Sequence, residues 1–220
     1  ACGPSGLRIV GFLETDTNRV RPVVTADPQS VDVDPIRPGI QVVEGSLLAV
    51  PVTISDDVQV RQTEVLLNYA GNVSTVRTDT TFPFDMRVRL PRIADGSNIA
   101  TLIYRARDTG GNAGNVFVDV ELVEDAVRPT LSGISPEEGA AKGPSFRTVS
   151  LSFSETVAPE TLTSSAIMLR RSDETLIEPI AIQPRFNGRT VVLTYPQLEL
   201  GVYTVEVDPS LISDLAGNTL

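Results

Sequence analysis

The chain has 220 residues, 41% of them hydrophobic, with 16 Gly, 16 Pro and a formal net charge of −10. With no His and a single Cys, it has no means of building a His-based nucleophilic triad, a His-containing zinc or copper site, an intramolecular disulfide or a thiolate cage. The acidic balance argues against nucleic acid as a partner, and no apolar run approaches the ~18 residues of a membrane helix.

The first stretch in chain order is "ACGPSG", residues 1–6, where the lone cysteine, Cys2, precedes a Gly-Pro-Ser-Gly segment. This resembles the processed end of a bacterial lipoprotein, which implies a lipid on Cys2 and a tether over residues 1–18. Acyl chains there would hold the protein at a membrane surface while its body stays in water.

From about residue 19 the chain reads in period two. "VPVTIS" places Val50, Val52 and Ile54 on one face, and "DMRVRL" places Met86, Val88 and Leu90 inward with Arg87 and Arg89 outward. "ATLIYRAR" buries Leu102, Tyr104 and Ala106, and "NVFVDVEL" buries Val116, Val118, Val120 and Leu122. Such alternation marks strands with one face in a core and one in water. Arg105 and Arg107 then project outward beside Glu64, Asp119 and Glu121, the pattern of a charge ladder on a solvated sheet face.

The pattern restarts after "EDAVRPTL", where Arg128-Pro129 is stiff and extended because proline denies its predecessor the α region. The boundary is placed there, giving one domain over residues 19–126 and a second over 127–220. In the second, "TVSLSFSE" points Val149, Leu151 and Phe153 inward, and "RFNGRTVVLTY" is a strand–Asn-Gly–strand hairpin signal. "LELGVYTVEVD" puts Tyr203, Val205 and Val207 on one side, with Tyr203 as a candidate corner tyrosine. Short alternating strands between Gly, Pro, Asn and Asp clusters, with no sustained helical period, predict an all-β chain of two tandem immunoglobulin-like sandwiches.

Both halves resemble bacterial immunoglobulin-like domains found in tandem on surface proteins and adhesins. The first carries the resemblance in "VVEGSLLAVPVTISDDVQV", "TFPFDMRVRLP" and "IYRARDTGGN". The second carries it in "PTLSGISPEEGA", "VSLSFSETV" and "LGVYTVEVDPSLISDLAGN". Members of that subtype continue past Asp-x-x-Gly-Asn into a final strand, so the second domain is expected to lack most of its last strand here. Either a longer protein continues the chain, or another chain donates the strand.

The repeated Asp-x-x-Gly-Asn, "DTGGN" at 108–112 and "DLAGN" at 214–218, reads first as a turn. Glycine accepts positive φ, and Asp and Asn bond their own backbone. The second reading is Ca²⁺ held by oxygen ligands. Domain 1 offers the fuller set, Asp56, Asp57, Asp108 and Asn112. Domain 2 offers Glu155, Asp214 and Asn218.

No activated nucleophile accompanies these acids, so the chain is expected to be non-catalytic, with no cofactor other than that Ca²⁺. The expected role is a spacer at the bacterial cell surface, the N-terminal part of a lipid-anchored protein that presents distal domains. Its partners would be those domains or neighbouring copies, with the membrane reached only through Cys2. The alternatives are a subunit of a fibre or surface layer assembled by strand addition, and an adhesin or glycan-binding module. The last is disfavoured by the absence of Trp and by only four Tyr.

Overall fold

The computed structural model describes residues 16–143 and 145–220; Cys2 and most of the tether lie outside them. The chain folds into two compact units. Unit 1 comprises the described residues up to Val43 together with Leu47–Val123, and unit 2 comprises Glu44–Ser46 with Glu124–Leu220.

Unit 1 contains β1 (Val23–Ala26), β2 (Gln41–Val43), β3 (Leu47–Leu48), β4 (Val52–Ser55), β5 (Val60–Tyr69), β6 (Asn72–Asp79), β7 (Val88–Arg89), β8 (Ile99–Asp108) and β9 (Ala113–Val123). One sheet runs β2-β9-β8-β5-β6, with β2 parallel to β9 and every other neighbour antiparallel. Opposite it lie two short antiparallel pairs, β1 with β4 and β3 with β7. Val24, Leu48 and Val88 from the short strands share one core with Val42, Val65, Leu102, Tyr104, Val118 and Val120 from the long sheet. The period-two reading of β8 holds to its end, where Leu102, Tyr104 and Ala106 are fully buried. Val116 and Met86 are only partly buried, though both pack against the core.

Unit 2 contains β10 (Leu131–Ser135), β11 (Thr148–Phe153), β12 (Ile167–Arg171), β13 (Leu176–Ile177), β14 (Ala181–Arg185), β15 (Thr190–Thr194) and β16 (Tyr203–Val207). Its sheets run β10-β11-β15-β14 and β13-β12-β16. Leu151, Phe153, Val191 and Leu193 of the first sheet meet Ile167 and Leu169 of the second in a core that also holds Tyr195 and Ile212. The Asn-Gly signal forms the β14–β15 hairpin, with Phe186, Asn187 and Gly188 all at positive φ. Tyr203 makes the corner: its hydroxyl donates to the Glu199 carbonyl at 2.7 Å. Among the described residues no strand follows β16. The chain beyond it makes isolated bridges, Val157 with Asp214 and Ser213 with Thr219.

The molecule is therefore all-β, two tandem immunoglobulin-like sandwiches, with only short 3₁₀ turns between strands. Each core encloses one tyrosine whose hydroxyl finds no partner, Tyr104 in unit 1 and Tyr195 in unit 2. Burial pushes the Tyr195 phenol up to about 12 and the Tyr104 phenol higher still.

The outer charge ladder on unit 1 centres on Glu64, which accepts from Arg107 at 3.2 Å and from Arg105 at 3.5 Å. Asp119 instead accepts from Thr101, and Glu121 pairs with Arg37. Partly exposed pairs of this kind contribute at most a few tenths of a kcal/mol each, about the scale of solvated cross-strand contacts.

Candidate functional site

Each unit has one corner at which three stretches of chain bring acids together: the lead-in to its first strand, the end of the strand paired to it, and an Asp-x-x-Gly-Asn turn. The strand registers create this meeting. In unit 1 β1 runs antiparallel to β4 with Val23 opposite Ser55, so the residues before β1 pass the chain that leaves β4. In unit 2 the same arrangement places Thr130 beside Ser154, joined by Ser154 N–H to the Thr130 carbonyl at 2.9 Å and Thr130 N–H to Ser154 Oγ at 2.9 Å.

The turns themselves are closely alike. The Asp108 amide donates to the Asn112 carbonyl at 3.1 Å. Asn112 returns its backbone N–H to Asp108 Oδ1 at 2.9 Å and its side-chain Nδ2 to Asp108 Oδ2 at 2.8 Å. In unit 2 the Asp214 amide donates to the Asn218 carbonyl at 3.0 Å. Asp214 Oδ1 accepts from Gly217 and Asn218 amides at 2.6 and 2.8 Å, and Oδ2 accepts from Asn218 Nδ2 at 2.9 Å.

Both aspartates are almost wholly buried. Burial alone would raise the Asp108 pKa. The Asn112 side chain and the amides of Asn112, Gly111 and Gly110 more than offset it, leaving the carboxyl below its usual range.

The asparagine side chain then reaches the lead-in segment. Asn112 Nδ2 also donates to Asp16 Oδ2, while Asp16 Oδ1 accepts from the amides of Asn18 and Arg19 at 3.2 and 2.7 Å. Asn218 Nδ2 donates to the carbonyls of Asp125 and Val127 at 2.8 and 3.2 Å, and Asp125 Oδ1 accepts from Val127 N–H at 3.0 Å. The turn motif therefore does more than reverse the chain: it fastens the segment that enters each sandwich.

The third acid of each corner is the one with too few bonds. Neither carboxylate oxygen of Asp56, just past β4, has a hydrogen-bond partner, and both are shielded from solvent. Burial raises its pKa; the nearby Asp57 amide works the other way, and the charges of Asp108, Asp57 and Asp16 add to the rise. In unit 2 Glu155, just past β11, has Oε1 shielded and unpartnered. Burial, then the charges of Asp125 and Asp214, raise its pKa against the opposing pull of Arg189.

Of the sequence-derived candidates, Asp56, Asp108 and Asn112 share the unit 1 corner. Asp57 is exposed and accepts from Asn18 Nδ2 at 3.3 Å. Glu155, Asp214 and Asn218 share the unit 2 corner. Among the described residues, the carboxylates that approach to within 4.8 Å of one another as a group of three are Asp125, Glu155 and Asp214. The tightest convergence is thus in unit 2, whereas the sequence offers the fuller set in unit 1.

Sequence reasoning missed Asp16 and Asp125. The signal for them was available: Val-Arg-Pro occurs at 20–22 and again at 127–129, each shortly after one of these aspartates.

Residues 125–220 match the family described as bacterial Ig-like domain. No curated protein matches the chain. Among solved structures, the D00-D0 domain of intimin is similar at 13% identity, covering 84% of this chain and 98% of that one with a TM-score of 0.29. A second is SGBP-B of the Bacteroides ovatus mixed-linkage glucan utilization locus, in complex with a mixed-linkage heptasaccharide. It is similar at 17% identity, covering 82% of this chain and 40% of that one with a TM-score of 0.26.

Proposed function

We propose that this chain, whose residues 125–220 match the bacterial Ig-like domain family, is a non-catalytic spacer of the bacterial cell surface, anchored through a lipid on Cys2. The observation that supports this reading most is the pair of separate cores, one closed around Leu102 and Tyr104 and the other around Leu151 and Leu193. A series of self-contained sandwiches carries load through strands bonded side by side, and its chemistry can be bland because its work is to hold distance. The asparagine clamps on Asp16 and on the 125–127 backbone fit that work, since they fasten each lead-in to its own sandwich.

Two experiments test the reading on the full-length protein in its source bacterium. Pulling single molecules is expected to give a separate unfolding event for each sandwich; one gradual extension without discrete events would contradict a load-bearing spacer. Fractionation is expected to place the protein with membranes and to release it when Cys2 is replaced by Ala. Membrane association unchanged in Cys2→Ala would remove the lipid anchor from the proposal.

Assembly by strand addition is a second reading, supported by β16. Among the described residues it pairs only with β12, so its other side is a sheet edge of the kind another chain can extend. Concentration-dependent polymers in solution are the expected outcome of that reading, and a monomer at all concentrations counts against it.

A further inference from the structure

The outward face of the long sheet in unit 1 carries a pattern that its core does not require. On β8 and β9 the residues that alternate with the buried ones point away from the core, and the register sets them in rows across the strands. One row is apolar: Phe117 on β9 lies opposite Ile103 on β8, and Ile103 lies opposite Leu66 on β5. Phe117 is 63% exposed, and Leu66, though buried, stands outside the unit 1 core. An apolar strip with polar rows on both sides is the usual form of a surface that meets another protein.

The two flanks of the strip differ in charge. On the side toward Asp108, Arg105 and Arg107 share the one carboxylate of Glu64, two cations to one anion. On the other side Asp119 accepts from the Thr101 hydroxyl and Glu121 pairs with Arg37, two anions to one cation.

Such a face is complementary to itself. Laying a second copy against it about a two-fold axis along the apolar row sets strip on strip, and each positive flank over the negative flank of the other copy. An axis along the strands would stack like charges instead, so the charge pattern selects one of the two arrangements. The area is of the right order. Four strands about 4.8 Å apart, each of about ten residues at ~3.4 Å, make a face of roughly 650 Å². A standard interface takes about 800 Å² from each partner.

We propose that this face is a dimer interface between two copies of this chain, with Phe117 as its anchor and the Arg105 and Asp119 flanks setting its orientation. Because both copies use the same patch, the assembly closes at two. Strand addition along β16 would use a different surface of a different unit. The proposal goes beyond the spacer reading and does not rest on it.

The test is sedimentation velocity of the full chain from low micromolar to near-millimolar concentration, with a thermal melt of every variant. The expected result is a monomer–dimer equilibrium that goes no further than the dimer. Phe117→Asp is expected to weaken association at least a hundredfold with the melting temperature unchanged, since the side chain stands outside the core. Arg105→Glu and Asp119→Arg are each expected to weaken it about tenfold, and the double variant to recover most of the loss, because the two flanks meet across the axis. A chain that stays monomeric throughout overturns the proposal and leaves the face to a partner of other chemistry. A dimer that survives Phe117→Asp overturns it too, by placing the contact elsewhere. Open-ended polymers that survive Phe117→Asp overturn it in favour of strand addition, so the two assembly readings fail separately.

Discussion

Asp108 and Asn112 hold each other by three hydrogen bonds, at 3.1, 2.9 and 2.8 Å, across a single turn. The same asparagine also bonds Asp16, far away in sequence. Replacing Asn112 by Ala removes both side-chain donors and leaves the buried Asp108 Oδ2 without that partner. We expect Asn112→Ala to destabilise unit 1 by about 2 kcal/mol, seen as a fall of roughly 5–10 °C in its melting temperature. A melt equal to the parent would show that the clamp carries no stability.

The corner tyrosine of unit 2 makes a single identifiable bond, Tyr203 hydroxyl to Glu199 carbonyl at 2.7 Å. Tyr203→Phe keeps the ring, which packs against the core, and deletes only that bond. The expected loss is about 1 kcal/mol in denaturant titration, with the slope of the transition unchanged.

The two core tyrosines predict the opposite. Their hydroxyls are buried without partners, so Tyr104→Phe and Tyr195→Phe are expected to leave stability at pH 7 unchanged or slightly raised.

They also predict alkaline sensitivity. An unfolded phenol ionises near pH ~10, whereas folded Tyr195 keeps its proton to about 12 and Tyr104 beyond that. A folded-state pKa raised above the unfolded value gives stability that is complete below pH ~10 and drains away as pH climbs through the folded pKa. The denaturation midpoint of unit 2 is therefore expected to fall between pH ~10 and 12, together with the appearance of tyrosinate absorbance. In Tyr195→Phe the Tyr195 share of that fall is expected to vanish.

Gly114 tests a backbone approach that no hydrophobic pattern announces. It has an ordinary φ, but a Cβ there would fall on the Pro22 carbonyl. Gly114→Ala is expected to cost about 3 kcal/mol or more, because β1 and the start of β9 must separate. Gly143→Ala, where nothing lies within 4 Å, serves as the near-neutral control.

Much of the architecture could be read from alternation alone. Leu102, Tyr104 and Ala106 on β8, and Val149, Leu151 and Phe153 on β11, are buried as their spacing requires. In a strand, successive side chains must face opposite ways, so burying one face fixes the next residue too. The weaker cases are Val52 and Ile54 on β4, inward in pattern yet only partly buried, since β4 pairs with β1 alone in a two-stranded sheet.

The chain by itself determined local quantities: which faces are apolar, where Gly and Asn permit turns, that Tyr203 could bond back to the residues just before it, and that His-dependent chemistry is absent. Only the tertiary structure decided which distant acids meet. Asp16 joins Asp108, and Asp125 joins Glu155 and Asp214, because antiparallel pairing of the first strand carries its lead-in past the end of its neighbour. The Val-Arg-Pro repeat after Asp16 and Asp125 marks the two lead-ins as alike, but not which acids they meet. Strand register and burial bring them together, and burial is what leaves Asp56 and Glu155 with oxygens that water cannot reach.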